Sequence, residues 1–264
     1  MRDEALAIAG EKMDPVRKLN SLREYIQALA LRSLHESEAF RCIAFIGGTA
    51  LRFLYGLPRF SEDLDFSLYA SGDYAPRKWM KKIKNDLTLG GFDVTVTWNE
   101  RSTVHKCWIK IAQLMYAAGI ASMRAQNLSI KIEIDTRPPE GAGVERALIN
   151  RHRLFAVRHY DRPSLFAGKL HALLVRPYPK GRDWYDLVWY AAQRPAIEPN
   201  ILLLQNALDQ TNPRDALRAS EWKSLLRSRL HSLDSRTLVG DVAVFLERPE
   251  EADLLEKEHI LTVL

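Results

Sequence analysis

Between Cys42 and Leu68 the chain changes its hydrophobic period twice, and each change constrains the fold. Cys42 to Ile46 is a short apolar run suited to a buried strand. Gly47 and Gly48 follow, then Thr49, a good N-cap residue, and a short helical stretch ending at Gly56. After the turn residues Leu57, Pro58 and Arg59, the run Glu62 to Leu68 alternates strictly. Leu64, Phe66 and Leu68 share one face, and Asp63, Asp65 and Ser67 share the other. The pattern predicts strand, glycine turn, helix and strand in close succession.

That order suggests a chemistry. Backbone N–H groups at a helix start attract anions, bare glycine lets a phosphate approach the chain closely, and the Thr49 hydroxyl adds a hydrogen bond. Two carboxylates on one strand face repel each other unless a cation lies between them. Mg²⁺ takes a few carboxylate oxygens together with substrate phosphate oxygens, so Asp63 and Asp65 are candidate metal ligands. A lone Asp-x-Asp is more often a solvated strand face; the glycine pair just upstream reverses that preference.

A third carboxylate for such a site lies downstream. Leu128 to Asp135 alternates cleanly, with Leu128, Ile130, Ile132 and Ile134 on one face and Ser129, Lys131, Glu133 and Asp135 on the other. Glu133, mid-strand, is the first choice, and Asp135 is the alternative if this strand pairs beside the first. Further on, Ser164 to Arg176 reads as a helix carrying Lys169. A stiff basic connection follows, then a second helix, Asp183 to Gln193, with Trp184, Leu187, Val188 and Ala191 as its apolar stripe and Asp183, Asp186 and Tyr190 off it. Lys169 would neutralise triphosphate charge and Asp186 would orient that lysine or a ribose hydroxyl. By spacing alone, the favoured reading is an ordinary helix-capping acid at Asp183 and a surface ion pair.

Taken together, Gly47-Gly48-Thr49-Ala50-Leu51-Arg52, Arg59-Phe60-Ser61-Glu62-Asp63-Leu64-Asp65-Phe66, Lys131-Ile132-Glu133-Ile134, Lys169, and Lys180-Gly181-Arg182-Asp183-Trp184-Tyr185-Asp186-Leu187 resemble the AbiEii/AbiGii toxin family. The resemblance spans roughly residues 15 to 250. It implies a nucleotidyltransferase of the DNA polymerase β-like superfamily, acting as the toxin of a bacterial toxin–antitoxin or abortive-infection system. Gly47, Gly48 and Thr49 would cradle a nucleoside triphosphate, and Asp63 and Asp65 would bind catalytic Mg²⁺. Lys169 would contact phosphate, and Asp186, or Asp183 in its place, would be the supporting acid. Members of the family transfer a nucleoside monophosphate to the 3′ acceptor end of tRNA and so block translation, with a cognate antitoxin encoded nearby. Arg52, on the first helix, is expected to offset charge on the leaving pyrophosphate.

The predicted fold is α+β: a mixed-sheet polymerase β-like core over residues 1–160, with an N-terminal helix started by Asp14-Pro15, then a C-terminal helical bundle over 161–264. Strands are expected at Cys42–Ile46, Glu62–Leu68, Phe92–Trp98, near His105–Ile111, Leu128–Asp135 and Leu154–Tyr160, with a helix from Pro76 to Leu89. After Pro163 every long apolar period is helical, interrupted at Pro195, Pro199, Pro213 and Pro249, with one more amphipathic helix at Asp234–Leu246. The 38 Lys plus Arg against 33 Asp plus Glu give a net charge of +5. Such an excess is compatible with an RNA partner, and arginines such as Arg151, Arg153, Arg158 and Arg214 would make binding salt-sensitive if they lined one groove. Cys42 and Cys107 show no zinc or disulfide spacing, and no apolar run reaches the length of a membrane span, so a soluble cytoplasmic protein is expected. The metal chemistry does not choose the acceptor. A protein adenylyltransferase and a non-catalytic nucleotide-binding regulator are therefore the alternatives.

Overall fold

The structure, a computed structural model, describes residues 1–211 and 217–264; Pro213 and Arg214 lie outside the described residues. The chain opens with α1 (Arg2–Gly10) and α2 (Pro15–Glu36). Asp14 caps α2 by accepting a hydrogen bond from the Arg17 amide at 2.9 Å, with Pro15 in the first turn, as the sequence predicts. Then come β1 (Ile43–Ile46), α3 (Gly47–Tyr55), β2 (Leu64–Leu68), α4 (Pro76–Leu89), β3 (Val94–Asn99), β4 (Val104–Ile111), the single turn α5 (Leu114–Ala117), β5 (Leu128–Asp135), β6 (Val144–Arg151) and β7 (Arg153–Tyr160). Helices complete the chain: α6 (Arg162–Val175), α7 (Gly181–Ala191), α8 (Ile201–Thr211), α9 (Trp222–His231), α10 (Ser235–Ala243) and α11 (Lys257–Val263).

The described strands form one mixed sheet in the order β3-β4-β5-β2-β1-β7-β6. β2 pairs antiparallel with β1 and parallel with β5, and β1 is parallel to β7. The fold is α+β. α1 and β6 escape the sequence reading for different reasons. α1 is short and buries only small side chains, Ala5 and Ala9, so it carries no long apolar stripe. β6 is a sheet edge with Ile149 its one buried side chain, so it carries no two-residue alternation to detect.

Two compact units divide the chain. The first comprises residues 1–55, 60–137 and 146–159; the second comprises 56–59, 138–145 and 160–264. A single cut at residue 160 therefore misses two short segments that belong with the helices. In the first unit one sheet face is apolar: Phe45 stacks on Phe66 with ring centroids 5.4 Å apart, and Ile130, Ile132 and Ile134 are fully buried. Leu22, Ile26 and Leu29 of α2 are buried as well, whereas Val16 near the helix start is 39% exposed. In the second unit Phe166 of α6 stacks on Tyr190 of α7 at 4.2 Å, and Trp184 is buried. Gly181 allows α7 to start against α10, since a side chain there would overlap the Leu238 carbonyl.

Candidate active site

The glycine turn and the first carboxylate strand meet directly. Ile46, the last residue of β1, stands opposite Asp65 in the antiparallel register, so Gly47 turns the chain beside the Asp65 side chain. Gly47 has φ +79°, and a Cβ built there would overlap Asp65 Oδ2. Both the left-handed conformation and the close approach require glycine. Thr49 is placed differently from expectation. It lies inside α3 and is fully buried, and its hydroxyl donates to the Asp63 carbonyl at 2.5 Å. The side chain therefore fastens the helix start to the entry of β2.

β5 lies beside β2 in parallel register, with Asp65 opposite Glu133 and Ser67 opposite Asp135. The strand pairing on which a third carboxylate depended is present, and it sets Glu133 next to Asp65. Asp135 instead accepts a hydrogen bond from the Arg137 amide at 2.9 Å, and burial holds its pKa above the ordinary carboxylate value. A residue with no role in the sequence reading, Lys131, enters this face. Its Nζ is 2.8 Å from Glu133 Oε2, while Lys106 is 3.6 Å from Glu133 Oε1. Burial opposes the Lys131 charge, but the Glu133 hydrogen bond and the negative fields of Glu133, Asp63 and Asp65 outweigh it and raise its pKa. Among the described residues no three His, Cys, Asp or Glu side chains are drawn together into a metal-ligand cluster. Glu133 is held by lysines instead of being gathered with the two aspartates. What the acidic face offers is the donor chemistry of Asp63 and Asp65 beside a glycine cradle, which fits an ion that takes its remaining oxygens from substrate.

Arg52 also departs from expectation. Only 2% exposed, it donates from Nε to Glu24 of α2, and its guanidinium stacks 4.0 Å from the Phe60 ring centroid. Glu24 also accepts from Arg151 Nε at 2.9 Å and pairs with His152 Nε2 at 3.0 Å. Burial pushes the Glu24 pKa up, but the His152 hydrogen bond and the charges of Arg52 and Arg151 prevail and hold it near 2. The arginine expected at the pyrophosphate thus ties α3 to α2 and to the β6–β7 connection.

The second unit holds its own charged cluster. Lys169 Nζ lies 3.1 Å from Asp183 Oδ1 and 2.6 Å from Asp186 Oδ2. Arg59 grips Asp186 with two bonds, Nε to Oδ1 at 2.7 Å and Nη2 to Oδ2 at 2.6 Å, and Arg176 Nη1 donates to Asp183 at 2.5 Å. Asp186 and Asp183 are 0% and 4% exposed, so the pair is no surface ion pair. Asp183 is no cap either: α7 begins at Gly181, with Lys180 in the N-cap position. Burial alone would raise the Asp183 pKa, but Lys169 and Arg176 bring it below the ordinary value. Asp183 and Asp186 both meet Lys169. Arg59 was visible in sequence only as a turn residue within a motif. Its bidentate geometry could be found from no local pattern, because its partner lies on a distant helix.

The mixed α+β sheet with its surrounding helices is a fold shared with solved structures. A crystal structure from H. pylori assigned as a nucleotidyltransferase has a TM-score of 0.55 at 18% identity, covering 91% of this chain and 92% of that one. The crystal structure of JHP933 from Helicobacter pylori follows at 0.50 and 18%, covering 91% and 90%. The model of the family described as nucleotidyl transferase AbiEii toxin, type IV TA system, matches residues 29–257, and the chain belongs to that family. No curated protein matches it. Among the described residues no helix is long and apolar enough to cross a membrane.

Proposed function

We propose that the protein transfers a nucleoside monophosphate from a nucleoside triphosphate to the 3′ end of an RNA, with the tRNA acceptor end as substrate, and so blocks translation until its antitoxin intervenes. The observation that carries this reading is the close approach of Gly47 to Asp65, which supports a turn that would bind an anion beside a carboxylate that would bind a cation. Gly47 and Gly48 would hold the phosphates through backbone N–H groups. Asp63 and Asp65 would hold Mg²⁺, which when bound neutralises the triphosphate and polarises its α-phosphoryl group. Glu133, beside Asp65, is the group to take the proton from the attacking hydroxyl. The phosphate contact of Lys169 and the supporting role of Asp186 rest on the family resemblance.

Incubation with each α-labelled triphosphate, Mg²⁺ and total tRNA should place label on an RNA 3′ end. Asp63→Ala should abolish that label while unfolding at the wild-type temperature; undiminished turnover in this variant would refute the assignment. Label appearing only on protein in ribonuclease-treated lysate would replace the RNA acceptor with a protein hydroxyl.

A further inference from the structure

One face of the β3-β4-β5 part of the sheet is buried, through Cys107, Ile109, Ile130 and Ile132. The other is open and carries an indole. Trp108, in the middle of β4, is 40% exposed and stands between Thr97 of β3 and Lys131 of β5 in the pairing register. Lys106 and Lys110, two residues to either side on the same strand face, are exposed, as are Thr95 and Thr97. Lys131 Nζ lies 5.9 Å from the Trp108 ring centroid. An exposed aromatic side chain set among lysines on a sheet surface is the chemistry that stacks an unpaired base while its phosphates meet the cations.

The strand order says which base. Gly47 follows β1, on one side of the Asp65 strand, whereas Trp108 lies on the other side, two strands away across β5. At about 4.8 Å per strand, that is ~10 Å from β2, within reach of a nucleotide. In an in-line displacement the attacking and leaving oxygens lie on opposite sides of the phosphorus. With the pyrophosphate end at the glycine turn, the attacking hydroxyl arrives from the β5–β4 side. We infer that Trp108, flanked by Lys106 and Lys110, is the platform on which the terminal base of a single-stranded nucleic-acid acceptor stacks. The inference rests on the nucleotidyl-transfer reading for its direction of attack.

The test is fluorescence anisotropy with a 5′-labelled single-stranded oligoribonucleotide of about eight residues. Trp108→Ala should weaken binding about tenfold, the loss of one base–aromatic stack, and Trp108→Phe should restore most of it. The Lys106→Gln, Lys110→Gln double variant should flatten the dependence of log affinity on log salt by about 1.4, for two lost phosphate contacts. Triphosphate affinity should stay at the wild-type value in both Trp108 variants. Unchanged oligonucleotide binding by Trp108→Ala would overturn the platform, as would a loss confined to triphosphate binding. Wild-type protein that binds RNA through Trp108 yet transfers no label to it would sink the transfer reading and leave the platform standing; RNA labelling with Trp108-independent binding would do the reverse.

Discussion

Replacing Glu24 by Gln removes one negative charge and almost no volume from the network that ties α2 to α3. In the wild type the Glu24 pKa falls from an ordinary value of 4.5 to about 2. A drop of roughly 2.5 units, at ~1.4 kcal/mol each, makes the ionised carboxylate worth about 3 kcal/mol of stability at neutral pH. Glu24 is only 5% exposed, so solvent screening takes little from that figure. Because the folded pKa is depressed, this contribution is fully present above 4.5 and is lost as the pH falls toward 2. Glu24→Gln should therefore unfold about 6–12 °C below the wild type at pH 7, taking ~2–4 °C per kcal/mol for a chain of this size. The gap should narrow steadily below pH 4.5. Scanning calorimetry from pH 7 to pH 3 measures both. A neutral-pH difference under about 1 kcal/mol, or a gap that does not change with acidification, would refute the electrostatic account.

Three further outcomes follow from the geometry. Gly47→Ala forces a side chain into a left-handed turn and against Asp65, so transfer should fall about a hundredfold through misplacement of the carboxylate; wild-type turnover would show that the close approach is dispensable. Asp186→Asn leaves Arg59 and Lys169 buried without their shared counter-charge and should cost about 3–5 kcal/mol in urea unfolding, where a loss below ~1 kcal/mol would argue that water reaches the cluster. Thr49→Val deletes the bond to the Asp63 carbonyl at a buried site and should cost about 1–2 kcal/mol, a value an unchanged urea midpoint would contradict.

Local pattern carried much of the architecture. Residues 128 to 135 alternate because β5 has one apolar and one polar face, and the structure keeps every one of those assignments. Gly47 was legible as a turn residue, and its positive φ and close approach to Asp65 give the physical reason for glycine there. What sequence could not display was partnership over distance. Arg52, one turn into a helix that begins at a glycine pair, looks like a phosphate ligand until Glu24, 28 residues earlier, is seen to hold it. Helix α7 misled the apolar stripe for a related reason: paired with Lys169, Arg59 and Arg176, its aspartates are as buried as its tryptophan, so polarity stopped predicting exposure. Lys131 escaped notice because a lysine on a wet strand face is ordinary; Glu133 beside it and the carboxylates of the neighbouring strand give it meaning.

Arg59 meets its carboxylate 127 positions further along the chain. On the ribosome, this pair therefore cannot close until Asp186 has been synthesised. A polypeptide cut short before that point would keep a guanidinium shaped for a partner it never receives, and desolvating it alone would be prohibitive. In a chain from a toxin family, products cut short before Asp186 should lack a completed helical unit.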